Sequence, residues 1–147
     1  MTRPETHKEE PPLATVVEIA ETVAAFENCT LPHRHWTHRA HLCVAVTYLR
    51  QMPFDQALAR LRAKINNYNS QCGDPDGYNE TITVLFLLRI QADMAAGACL
   101  ENMPEDIARL AEACSVNWLY RYYSKELIWS ASAKSGCVEP DLQPLDF

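Results

Sequence analysis

Apolar residues recur at helical spacing along most of this chain. Val16, Ile19, Ala20, Val23 and Phe26 mark one face of a first helix, expected over residues 13–28. Cys29-Thr30-Leu31-Pro32 breaks it. Thr37 is a good N-cap for a second helix, which Pro53 stops near Met52. Phe54, Leu58, Leu61, Ile65 and Tyr68 form the stripe of a third, over residues 54–69. The stretch Cys72-Gly73-Asp74-Pro75-Asp76-Gly77 then dictates a turn.

Residues 78–98 start with an apolar surface on nearly every side, from Ile82 through Ile90. Such a run suits a buried strand or a buried helix. The continuation Gln91-Ala92-Asp93-Met94-Ala95-Ala96 is poor strand material, so a helix is expected, apolar all round and therefore central to a bundle. Pro104 opens another helix to about Cys114. Residues 117–133 are aromatic-rich and helical in pattern, with a break at Ser124. Pro140 and Pro144 make the tail extended, with Leu142, Leu145 and Phe147 tacking it to the surface. The pattern predicts an all-α, single-domain bundle of about five helices over residues 13–147. The polar, proline-bearing residues 1–12 are expected to be a disordered arm. No internal repeat is visible.

Length and composition agree: 147 residues suit one domain, and four glycines are few for a turn-rich sheet fold. The formal net charge of -6, with no basic stripe, argues against nucleic acid or an anionic membrane surface as partner. Arg50, Arg60, Arg62 and Lys64 read as a solvated helix face. The longest apolar run, Val84 to Leu88, is far too short to span a bilayer, and the N-terminus has no apolar core of a signal peptide. None of the six cysteines forms a C-x-x-C pair, and Cys43 and Cys114 look like small apolar residues. A cytoplasmic location is expected, as a monomer or a homo-oligomer.

The densest chemistry is a histidine cluster: His33, His35, His38 and His41. At about 100° per residue, His38 and His41 fall within the apolar arc of Leu42, Ala45 and Leu49, whereas Arg39, Cys43, Thr47 and Arg50 lie opposite. An imidazole on a core face is costly unless both nitrogens find partners. Positions i and i+3 also bring two imidazoles close enough to share a metal ion. Glu80, in the first turn of the buried helix, is the candidate third ligand, giving a set suited to Zn, Fe(II) or Mn with open positions for water or substrate. Asn79, Tyr48 and Tyr123 are candidate catalytic or substrate-orienting groups around it. His33 and His35 read as loop histidines and His7 as part of the arm.

Other readings stand beside the metal site. Glu80 can serve only to complement the helix dipole, with Asn79 as its cap. The two histidines can form a metal-free acid/base or ligand-binding site, or a buried structural network. The aromatics around Trp118 and Trp129 are more ordinary as core than as a cofactor box. No nucleophilic serine context, phosphate-cradling loop or dinucleotide fingerprint is present. The leading expectation is a small metal-dependent helical enzyme acting on a small molecule. The other is a non-catalytic helical ligand-binding or regulatory module.

The motifs Trp36-Thr37-His38-Arg39-Ala40-His41-Leu42 and Tyr78-Asn79-Glu80-Thr81-Ile82-Thr83, with the ending Glu139-Pro140-Asp141-Leu142, resemble those of a family of small bacterial all-helical proteins, over roughly residues 30–145. The resemblance carries no activity with it. It implies a histidine at the position of Asn79, hence a site of two histidines from one helix and a His-Glu pair from the other. On that footing Asn79 weakens a metal site here, or retunes it toward a neutral donor.

Overall fold

In the computed structural model, which describes residues 7–97 and 102–147, every regular element is helical. The order is α1 (Val16–Glu27), a 3₁₀ turn at His33–His35, α2 (His38–Gln51), α3 (Phe54–Cys72), α4 (Glu80–Ala95) and α5 (Met103–Ala113). A second 3₁₀ turn at Trp118–Arg121 and two short helices, α6 (Lys125–Ile128) and α7 (Ala131–Ser135), complete it. The all-α, five-helix bundle read from the pattern is the fold, with two extra short helices.

Local chemistry sets the boundaries. α1 begins three residues later than the apolar pattern suggests, because Thr15 and Glu18 form a capping pair: Thr15 accepts from the Glu18 amide and donates to its carboxylate. Thr37 caps α2 by accepting from the Ala40 amide, and Pro53 closes it off. α3 runs on to Cys72, up to Gly73, whose α-carbon packs so closely against Asn69 and His33 that a β-carbon would crowd both. The aromatic stretch after α5 is not one helix. Ser124 and Ser130 each capture an amide three residues on, at Leu127 and Ala133, and so restart the chain twice.

α2, not α4, is the centre of the bundle. It packs against α1, α3, α4 and α5, and Ala40, Cys43, Val44 and Val46 along it are fully enclosed. Cys43, expected on the outer face, is buried because α5 covers that side, and burial pushes its thiol up to about 12. On α4, by contrast, Val84, Phe86 and Leu88 keep partial exposure. One apolar cluster surrounds α2; a smaller one gathers Leu85, Cys114, Trp118, Leu119, Tyr122, Tyr123 and Ile128 beneath the C-terminal tail.

Both ends of the described chain are tied down; of the arm expected over residues 1–12, residues 1–6 lie outside the described residues. Residues 8–11, expected to belong to a loose arm, are fastened to the 3₁₀ turn: the Glu9 amide donates to the Arg34 carbonyl at 2.8 Å, Lys8 donates to the His33 carbonyl at 2.9 Å, and Thr37 donates to Glu10 at 2.9 Å. The tail is held by Ser124 donating to Asp141, by the Leu142 amide donating to the Tyr122 carbonyl at 2.9 Å, and by Phe147 against Trp118 and Tyr122. Leu142, expected to tack the tail with its side chain, instead points outward and contributes its backbone. The five cysteines among the described residues are free thiols; Cys99 lies outside them. Among the described residues no helix is long and apolar enough to cross a membrane.

Candidate functional site

α2, α3, α4 and the connection after α5 enclose a cavity of about 310 Å³. Its inner wall is Leu42 and Ala45 of α2 with Leu61 and Ile65 of α3. Ile82 and Phe86 of α4 close one side. Val116 and Trp129, 53% and 49% exposed, stand at the rim, so the cavity reaches solvent there. Such a volume holds a small organic molecule.

The polar side chains lining this cavity are His38, His41 and Thr83. The helix geometry of α2 thus places both histidines on one face, as the i, i+3 spacing requires. His41 stacks on Trp36 with ring centroids 3.6 Å apart, and its Nδ1 donates to the Thr37 carbonyl at 2.6 Å. His38 Nε2 donates to the Cys114 carbonyl at 2.7 Å, which satisfies an otherwise open carbonyl at the end of α5, and its ring meets the edge of Phe86. A carbonyl only accepts, so each bond places a hydrogen on the bonded nitrogen: Nδ1 of His41 and Nε2 of His38. Burial holds the His41 pKa down at about 4, the Thr37 bond opposing that shift only in part. His41 is therefore neutral at physiological pH.

The other expected site residues go elsewhere. Both oxygens of Glu80 are engaged by the Arg62 guanidinium, with Nε at 3.0 Å from Oε2, and the Tyr78 hydroxyl donates to Oε2 as well. Arg62, followed by Tyr78, holds the Glu80 carboxyl below the usual carboxylate range. Glu80 does not line the cavity. Asn79, as anticipated in the plainer reading, caps α4 by accepting from the Ile82 amide at 3.0 Å; its amide group donates to the Ile128 carbonyl at 2.7 Å. Both ends of that side chain are thereby used. Tyr48 lies away from the cavity, donating to Glu27 beneath Arg60, which sits 5.1 Å above its ring. Tyr123 donates to the Val138 carbonyl at 2.8 Å and pins the tail. His33 and His35 are fastening points for the N-terminal segment: His35 Nδ1 bonds the Glu9 carbonyl at 2.9 Å.

The expected set of His38, His41 and Glu80 around one Zn, Fe or Mn ion is thus not brought together. Among the described residues no three His, Cys, Asp or Glu side chains converge in a way that would hold a metal. A carboxylate already bound bidentately to arginine is a poor ligand in waiting, because freeing it leaves a guanidinium unpaired.

Sequence signals for the cavity itself were weak. Leu61, Ile65, Ile82 and Phe86 read as ordinary core stripe, and the half-exposed Val116 and Trp129 depart from that pattern. Comparison of the chain with protein-family models, with curated proteins and with solved structures finds no match.

Proposed function

We propose that this chain is a small helical ligand-binding protein whose cavity takes a small, mostly apolar molecule. The observation that carries the reading is the cavity itself: about 310 Å³, walled by aliphatic and aromatic side chains, open at Trp129, with two anchored imidazoles on one wall. Enclosing apolar surface supplies the affinity, and a few fixed polar groups supply orientation. Protein interiors are close-packed and leave few empty spaces larger than a water molecule.

The test is a titration of the full chain with a panel of small aromatic and aliphatic compounds, followed by amide NMR shifts. Binding should perturb the residues around Ala45, Ile82 and Phe86, and Ala45→Phe should abolish it while the protein stays folded. Shifts confined to surface residues, or binding unchanged in Ala45→Phe, would sink the reading.

The metal-dependent enzyme is the second reading. One observation favours it: each imidazole has its N–H fixed on a carbonyl, which is how ligating histidines are commonly held. Among the described residues no third protein donor joins them. Calorimetric titration of metal-free protein with Zn²⁺, Fe²⁺ and Mn²⁺ separates the two, stoichiometric heat with tight binding supporting the metal and its absence supporting the organic ligand.

A further inference from the structure

The hydrogen-bonding character of the cavity wall is one-sided. Its three polar side chains have each spent their hydrogen on a backbone carbonyl: His38 on Cys114, His41 on Thr37, and Thr83 on Asn79 at 3.0 Å. In His41, neutral at physiological pH, the second nitrogen then carries a lone pair and no hydrogen. His41 has Nε2 to offer and His38 has Nδ1, and neither atom has a partner among the described residues. The Thr83 hydroxyl, besides its bond to the Asn79 carbonyl, is engaged with the Tyr78 hydroxyl. Among the described residues no charged side chain lines the cavity.

We infer that the cavity selects neutral apolar molecules that carry an O–H or N–H donor, such as phenols, alcohols or N–H heteroaromatics, over isosteric ethers and over carboxylates. The inference rests on the ligand-binding reading and narrows it to a chemical class. A ligand hydroxyl or N–H placed near α2 meets acceptors. An ether oxygen in the same place sets its lone pairs against those of the imidazoles and leaves every one of them unmatched. A carboxylate faces the same mismatch and also loses its hydration with no cation to replace it. An ammonium group finds acceptors but no counter-charge in the lining. Sites that present hydrogen-bonding groups to a ligand discriminate strongly against analogues lacking the complement, since the site's own polar atoms are then left unpaired. Phe86 and Trp129, on the wall and at the rim, suit an aromatic body for the donor.

A matched series tests this on the full-length protein: 4-propylphenol, 4-propylanisole, 4-propylbenzoate and propylbenzene, titrated calorimetrically at about pH 8, where the phenol is neutral and His41 uncharged. The phenol should bind about tenfold or more tighter than the anisole, and the benzoate should not bind. In ¹⁵N-detected imidazole spectra the unprotonated nitrogen of His41 or His38 should move with the phenol and stay in place with propylbenzene. Equal affinities for phenol and anisole, tighter binding of the benzoate, or phenol binding that moves neither imidazole nitrogen would overturn the donor rule. If propylbenzene binds and the phenol gains nothing over it, the rule fails while the ligand-binding reading survives. If no member of the series binds, both fail.

Discussion

His41 is part-buried, stacked on Trp36 and neutral, and that makes acid a specific destabiliser of this fold. In the unfolded chain its pKa returns to the ordinary 6.5, whereas in the folded protein burial holds it at about 4. Between those values the unfolded state binds a proton that the folded state refuses. The stability His41 confers is therefore fully present above pH 6.5 and is lost as the pH falls toward 4. The steepest slope is one proton's worth, about 1.4 kcal/mol per pH unit, and integration from pH 7 to 4.5 gives a loss of about 2 kcal/mol. That is a large share of the stability a domain of this size commonly has. Urea denaturation of the wild type and His41→Gln, in reducing buffer across this range, isolates the contribution. His33, also held below its usual pKa, adds a loss of the same sign to both proteins and drops out of the difference. The variant starts lower at neutral pH, having lost the Trp36 stack, but its curve should be flatter by about 2 kcal/mol over the interval. Parallel curves would refute the claim that His41 is neutral because it is buried.

The remaining predictions concern side chains whose role the structure assigns to architecture. Asn79→Ala removes both the α4 cap and the bond to the Ile128 carbonyl, and should cost about 2 kcal/mol by urea denaturation; Asn79→Asp keeps the cap alone and should recover part of it. Glu80→Gln weakens the pairing with half-exposed Arg62 and should lower stability modestly at neutral pH, an effect that fades as the pH falls below the carboxylate range, while ligand affinity by calorimetry stays the same. A loss of binding in that variant would return Glu80 to the site. Tyr123→Phe deletes the bond to the Val138 carbonyl and should loosen the tail, seen as faster proteolysis beyond residue 137 with a loss of about 1 kcal/mol overall.

Periodicity carried the fold. Thr37 and Asn79 have the side chains that N-caps need, Pro53 and Pro104 constrain helix ends, and the apolar stripes between them can only be buried by packing on one another. What periodicity does not encode is which helix the others surround. The run from Ile82 to Ile90 is richer in large apolar groups than anything in α2, and on composition it belongs at the centre. Yet the small residues of α2, Ala40, Cys43 and Ala45, let four helices approach it closely, and close approach decides the centre more than hydrophobicity does. The same limit explains the aromatic stretch, where Ser124 and Ser130 offer the backbone a bond that competes with the helix and wins.

The candidate site was legible only in half, and the missing half has a physical cause. That His38 and His41 face inward follows from spacing along one helix. Where a carboxylate on another helix points depends on which cation reaches it first, and that is a matter of tertiary register. Arg62 reads in the sequence as part of a solvated face, but it sits one position past Leu61, a cavity wall residue, so its guanidinium emerges at the edge of the α3–α4 packing, within reach of Glu80. Long charged side chains routinely span from a buried stem to a partner at such an edge. Arg62 and Tyr78 satisfy Glu80, and the histidines' hydrogens go to the carbonyls of Thr37 and Cys114. That sequence of assignments turns an expected ion site into an apolar cavity with acceptors on one wall, and it is why the decisive measurement is a choice between a phenol and its methyl ether.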